Sequence, residues 1–221
     1  MKLFVGDRNL SSWSMRPWVL MRALGLAFDT EELRITPGLS EADRARLRAL
    51  GGPARVPVLV LDDGAVAWDS LAIVETLAEC FADRGVWPAD ARARAQARSL
   101  CAEMHSGFAA LRGHCPMNIA ATLPEMGECV WAANPAVRED LQRIDEAWRT
   151  ALQAHGGPFL FGDRFGAADA YFAPVVSRVR SYRLPLSRPA AAYAERLWST
   201  PAVQDWVQAA IASVQRPVDE G

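Results

Sequence analysis

Apolar positions along the chain change their period near residue 83. Before it, short apolar runs alternate with helical stripes; from Asp90 onward almost every stretch repeats with helical spacing. Lys2 to Val5 predicts a short buried strand, and Trp18, Leu20, Met21 and Leu24 then fall on one helical stripe that Gly25 ends. Phe28 to Ile35 alternates as a second strand, and Glu41 to Leu50 predicts an arginine-rich helix. Val58 to Leu61 and Ala65 to Trp68 flank Asp63-Gly64, a hairpin signal. A last helix opens at Asp69-Ser70 with Leu71, Val74, Leu77, Ala78 and Phe81 on one face. The order βαβαββα implies a mixed four-stranded sheet, because parallel strands need a helical crossover whereas the final pair closes through a tight turn.

That order is the one of the thioredoxin fold. The remaining chain predicts helices at roughly 90–113, 117–133, 136–155, 167–181, 189–198 and 202–214. Pro116, Pro135, Gly156-Gly157-Pro158, Pro185 and Pro201 stand where these helices should start or stop. The expected organisation is a thioredoxin-like α/β domain over 1–82, a linker over 83–89 and an all-helical domain over 90–221.

Composition narrows the partners. With 221 residues, 51% of them hydrophobic, the chain can bury one large core or two small ones. Its 24 Lys and Arg nearly balance 26 Asp and Glu, so charge gives no reason to expect nucleic acid or an anionic membrane. A small-molecule or protein partner is expected instead. Cys80, Cys101, Cys115 and Cys129 fall in helical stretches without a CxxC pair or a histidine at zinc-ligand spacing, so neither a disulfide framework nor a metal site is expected. The start, MKLFVGDRNLSSW, lacks a signal-peptide apolar run, and no stretch approaches the ~18 apolar residues of a membrane span. The expected location is the cytoplasm.

Three segments carry candidate chemistry. Asn9-Leu10-Ser11-Ser12-Trp13-Ser14-Met15-Arg16-Pro17-Trp18 joins the first strand to the first helix, where free backbone N–H groups favour an anion. Three serines in four positions exceed the needs of one helix cap. A serine nucleophile is disfavoured, because His105, His114 and His155 are the only histidines and no GxSxG elbow is present. Serine here acts as a hydrogen-bond donor. Arg55-Val56-Pro57 precedes the third strand; a cis bond there would leave the Val56 N–H and C=O free to pair with a peptide-like ligand. Asp69-Ser70 is a capping signal and also a place where hydroxyl and N–H groups converge on a carboxylate.

Together, the Ser-Ser-Trp-Ser-x-Arg-Pro loop, Val56-Pro57, Asp69-Ser70 and a helical second half resemble the serine-type cytosolic glutathione transferases. The loop is nearest to the zeta-like and related bacterial groups, which read Ser-Ser-Cys-Ser-x-Arg. The resemblance implies glutathione as co-substrate and Ser12, four before Arg16, as the thiol-activating residue, with Ser11 and Ser14 as alternatives. It implies that Val56 pairs with the cysteinyl backbone, Ser70 holds the γ-glutamyl carboxylate, Asp69 its ammonium, and Arg55 the glycyl carboxylate. A small apolar electrophile would lie against Met104, His105, Phe108 and Arg112 of the helical half, with inter-domain core as the other reading of the apolar stripe through Met104 and Phe108 and a structural role as the other reading of His105. A homodimer is the implied assembly. Two departures matter. Trp13 stands in place of cysteine, which argues against maleylacetoacetate isomerisation and glutaredoxin-like chemistry. In Phe165-Gly166-Ala167-Ala168-Asp169, Gly166 replaces a Ser or Thr cap, leaving Asp169 a structural role. The competing expectations are a non-catalytic binding protein of the same fold and a zeta-like isomerase or dehalogenase.

Overall fold

A computed structural model describes residues 1–215; residues 216–221 of the expected helical domain lie outside the described residues. Strands β1 (Lys2–Gly6), β2 (Asp29–Leu33), β3 (Val58–Val60) and β4 (Val66–Ala67) form one sheet in the order β2-β1-β3-β4. β1 pairs parallel with β2, Lys2 opposite Asp29, and antiparallel with β3, Phe4 opposite Val58. β3 and β4 form the predicted hairpin. Helices α1 (Ser12–Ala23), α2 (Glu41–Ala49) and α3 (Ser70–Cys80) complete the thioredoxin-like βαβαββα order.

The remaining helices are α4 (Ala91–Ser106), α5 (Ala109–His114), α6 (Pro124–Ala133), α7 (Pro135–His155), α8 (Ala167–Tyr182), α9 (Arg188–Trp198) and α10 (Pro201–Gln215). Two sequence expectations need correction here. The helix expected over 90–113 is broken: Gly107 is extended and Phe108 adopts φ 54°, so α4 stops at Ser106 and α5 starts afresh. Arg112 caps the break, its Nη1 donating to the His105 and Gly107 carbonyls at 3.3 and 3.2 Å. The helix expected over 117–133 begins only at Pro124, because a residue before proline is driven out of the helical region, and Leu123 sits at φ −129°, ψ 51°. The extended segment before it ties instead to α8, the Leu123 N–H donating to the Ser181 carbonyl at 2.7 Å.

α1 also starts earlier than its apolar stripe suggests. It runs from Ser12 through Pro17, whose missing N–H costs only the bond that the Trp13 carbonyl would have accepted. The serine segment is therefore the first turn of the helix rather than a loop before it.

One apolar cluster joins both halves. Leu3, Val5, Met15 and Val19 of the sheet half pack continuously with Met104, Trp148, Phe172 and Trp206 of the helical half. α8 is its axis, packed against α1, α4, α6 and α9. It is placed by a buried carboxylate. Asp169 accepts from the Gly166 N–H at 3.0 Å, the Leu160 N–H at 3.1 Å and the Tyr193 hydroxyl at 2.8 Å. Gly166 supplies its backbone N–H, so the missing Ser or Thr side chain leaves this half of the capping box intact. Polar ties add to the seam between halves: Trp206 Nε1 donates to the Arg8 carbonyl at 2.9 Å, and Arg22 pairs with Asp205 at 2.6 Å.

Burial raises the Asp169 carboxyl from 3.8 to about 6, against the pull of its hydrogen bonds. The folded state therefore holds this proton more tightly than the unfolded chain. The stability this contributes is complete below about 3.8 and is lost as pH rises through about 6. Asp169→Asn should remove that slope from the pH dependence of urea-unfolding stability, so that it appears in the difference between wild type and variant over this range. Asp169→Ala, which strands three donors, should lower stability by about 3 kcal/mol at pH 7.

Candidate functional site

The N-terminus of α1, the turn before β3 and the N-terminus of α3 converge beneath the helical half. They line two adjoining clefts. One, of about 580 Å³, is bounded by Trp13, Arg55, Val56, Pro57, Asp69, Ser70 and His105, among others. The other, of about 620 Å³, is bounded by Ser11, Ser12, Trp13, Arg55, Val56 and residues of the helical half, including Arg112 and Arg178. Trp13, Arg55 and Val56 belong to both, so the two clefts adjoin along these residues and together make up the groove between the halves.

The three serines differ in what their hydroxyls do. Ser14 is fully buried and accepts from the Gly6 N–H at 3.0 Å and from the Ser11 hydroxyl at 2.8 Å, tying α1 to the end of β1. Ser11 is the N-cap by position, yet its side chain makes no capping bond because it is committed to Ser14. The Ser12 hydroxyl has no protein partner among the described residues and lines the groove. It sits in the first turn of α1, where backbone N–H groups lack intrahelical acceptors.

Val56-Pro57 is cis, and the Val56 N–H and C=O have no partner among the described residues. Asp69 caps α3 by accepting from the Leu71 N–H at 3.0 Å. Ser70 is fully buried, with its Oγ 3.4 Å from the Tyr171 hydroxyl of α8. His105 reaches across from α4 to place Nε2 3.1 Å from Asp69, with its ring edge-on to Trp13 at 5.0 Å. Burial pushes the His105 imidazole below its ordinary value; Asp69 pulls it back up, while Arg16 and Arg112 oppose protonation.

Met104 and Phe108 are core residues and line neither cleft; Phe108 has also left the helix on which the stripe placed it. His105 and Arg112 do face the groove. Sequence reasoning missed two arginines. Arg16 is 1% exposed, with Nε and Nη1 unpartnered and its guanidinium 4.3 Å from the Trp13 ring and 4.8 Å from the Tyr171 ring. Burial lowers it to about 10. Arg178, on α8, enters the Ser12 side of the groove. A signal existed for it: Ser177-Arg178 interrupts the nearly continuous apolar run of α8.

A thioredoxin-like half joined to a helical half, with the groove between them opening at a serine-bearing helix start, defines the two-domain transferase architecture. The chain belongs to the glutathione S-transferase family: residues 10–80 match its N-terminal domain and 130–209 its C-terminal domain, together about two thirds of the chain. It is 28% identical over 180 residues to a probable maleylacetoacetate isomerase of Caenorhabditis elegans, covering 81% of this chain and 79% of that protein. It is also 28% identical over 168 residues to the glutathione S-transferase GstA of Escherichia coli O157:H7, covering 73% and 76%. Among solved structures, a Burkholderia glutathione transferase homologue with bound glutathione superposes with TM-score 0.67 at 26% identity, covering 96% of this chain and 98% of that one.

Two outcomes follow from the division among the serines. Ser14→Ala strands the Gly6 N–H and should lower unfolding free energy by about 1–3 kcal/mol, whereas Ser12→Ala should change it by less than about 0.5 kcal/mol, both read by urea denaturation. Removing the Asp69 charge with Asp69→Asn should lower the His105 pKa further, read from the imidazole shifts in an NMR titration.

Proposed function

We propose that the protein is a glutathione transferase in which the Ser12 hydroxyl donates to the glutathione sulfur and holds it as the thiolate. The observation that carries this reading is that Ser12 alone of the three serines keeps its hydroxyl clear of protein partners in the groove. An extended tripeptide fits the rest. Its γ-glutamyl carboxylate would meet Ser70 and the start of α3, its ammonium Asp69, its cysteinyl backbone the unpaired Val56 groups, and its glycyl carboxylate Arg55. The glutathione bound by the Burkholderia homologue supports the choice of ligand. In this reading residues 1–82 form the glutathione half, 83–89 the linker and 90–221 the acceptor half of a cytoplasmic homodimer.

The energetics are sufficient without a metal or a general base. A free thiol titrates near 8.5, so lowering it by two units needs ~2.7 kcal/mol of preference for the anion. One hydroxyl donating to a charged acceptor contributes roughly 1.5 to 3 kcal/mol, and a helix N-terminus about 0.3 to 1. The thiolate sulfur then attacks an electrophilic carbon presented from the helical half.

A second reading, glutathione-dependent isomerisation, draws on the relatives named maleylacetoacetate isomerase. Trp13 in place of cysteine weighs against it. Turnover of maleylacetone would establish the isomerase instead, and retention on a glutathione column without turnover of chlorodinitrobenzene or a hydroperoxide would establish a binding protein.

Ser12→Ala should stay on the glutathione column while the pH–rate profile shifts upward and turnover at neutral pH falls at least about tenfold, the loss of roughly 1.4 kcal/mol. An unchanged profile and rate would remove Ser12 from this role.

A further inference from the structure

Residues 115–123, between α5 and α6, form a strap with no helix or strand of its own. Its Pro116 and Met117 line the Ser12 side of the groove together with Leu10, Ser11 and Ser12. Backbone outside regular ladders must find its hydrogen-bond partners elsewhere, and here side chains supply most of them. On the helical side, Arg178 Nε donates to the Cys115 carbonyl at 2.9 Å, the Tyr182 hydroxyl to the Pro116 carbonyl at 3.2 Å and the Ser181 hydroxyl to the Asn118 carbonyl at 2.9 Å. All three donors belong to α8.

On the sheet side, the hydrogen bonds of the strap end on one residue. Asn9 Oδ1 accepts from the Ala120 N–H at 2.9 Å, its Nδ2 donates to Asn118 Oδ1 at 2.9 Å, and its carbonyl accepts from the Ile119 N–H at 3.3 Å. Among the described residues the strap makes no other hydrogen bond to the sheet half. An acceptor and a donor on one short side chain is what a carboxamide supplies, and the Ala120 N–H decides which way it faces.

Asn9 is itself a fixed point. The Arg8 N–H and Nε donate to Glu32 at 3.3 and 3.1 Å, and the Leu10 and Ser11 N–H groups donate to the Asp7 carbonyl at 3.0 and 2.8 Å. Asn9 lines neither cleft, so it does not face a bound substrate. It joins two parts that do: the turn leading into Ser12 and the strap that carries Pro116 and Met117.

We propose that Asn9 is a positioning residue for the acceptor substrate, pinning the strap so that Pro116 and Met117 form a wall at a set distance from the Ser12 hydroxyl. This rests on the glutathione reading above. The sheet half places the sulfur, and the strap places the carbon that the sulfur attacks. Reacting atoms must approach to about 3–3.5 Å, and a misplacement of about 1 Å can cost about a hundredfold in rate. A pinned wall therefore selects an acceptor by its size, and a freed wall loses that selection while the thiolate held by Ser12 is unchanged.

The test compares chlorodinitrobenzene with a chlorodinitronaphthalene, each rate divided by its uncatalysed rate with glutathione. In both, the sulfur lone pair forms the C–S bond and chloride leaves with the C–Cl pair, so only the size of the ring system differs. The wild type should favour the smaller ring in kcat/KM. Asn9→Ala and Asn118→Ala should each narrow that preference at least about fivefold through a raised KM for chlorodinitrobenzene, leaving the KM for glutathione and the thiol pKa of bound glutathione unchanged. Both remove the same side-chain bond, so the double variant should go no further than Asn9→Ala alone. Asn118→Ala keeps the main-chain carbonyl that Ser181 holds and decides the matter if Asn9→Ala does not fold. No preference in the wild type, a preference that the variants leave intact, or effects that add in full would overturn the proposal. So would a raised thiol pKa in the variants, which would assign Asn9 to the placement of Ser12 instead. A protein that does not stay on the glutathione column, or stays without turning over either acceptor, would overturn the transferase reading itself, a result separable from mere indifference to ring size.

Discussion

Asp169 is a buried carboxylate held by two backbone N–H groups and the Tyr193 hydroxyl. Those three donors come from the segment before α8, its N-cap and α9, so one side chain fixes where α8 begins and how it is rotated. Everything the helical half contributes near Ser12 and Ser70 depends on that rotation. Tyr171, two residues on, meets Ser70 and covers the Arg16 guanidinium, and Arg178, nine residues on, reaches the groove. The spacing of nine brings the chain through two and a half turns, from the buried anchor to the side facing the sheet half. A buried, uncompensated charge is an expensive anchor, but its geometry is unambiguous, and a groove defined by side chains from both halves requires a single orientation.

Around the serine, three kinds of positive potential act in one direction: a hydroxyl proton, the unsatisfied N–H groups of the first turn of α1, and guanidinium groups. Trp13 organises the last of these. Its ring lies near both Arg16 and Arg112 and so serves as a scaffold for cations. The thiols that remain nearby, Cys101 and Cys115, are buried, and burial raises both well away from the reactive range.

Much of the fold was legible because it rests on local rules. The apolar run of β1, the Asp63-Gly64 hairpin and the capped start of α3 each follow from a few neighbouring residues. The misreadings fall where a local pattern competes with a backbone restriction. The stripe through Met104, Phe108 and Leu111 continues a helical period across Gly107, and the chain breaks there anyway because Arg112 and Asp140 satisfy the new helix ends. The 117–133 stripe hides Pro124, which decides where the helix can begin. For the site, the serines, Val56, Asp69 and Ser70 could be found because they sit at element boundaries with a recognisable spacing. Arg178 left only the interruption of the apolar run of α8 as a signal, since its position opposite Ser12 is a property of tertiary packing and a single arginine on a helix usually reads as a solvated one.

The unbroken apolar cluster between β1, α1 and α8 has a consequence for how molecules come and go. Swinging the two halves apart would pull Met15, Val19 and Trp18 away from the helical half and wet them, and would part the Trp206 and Arg22 ties as well. Access to the groove is then by its open rim, where Leu10 and Trp68 are exposed. Residence times then depend on the grip of the walls on the departing molecule, and an anionic product would leave more readily as ionic strength rises.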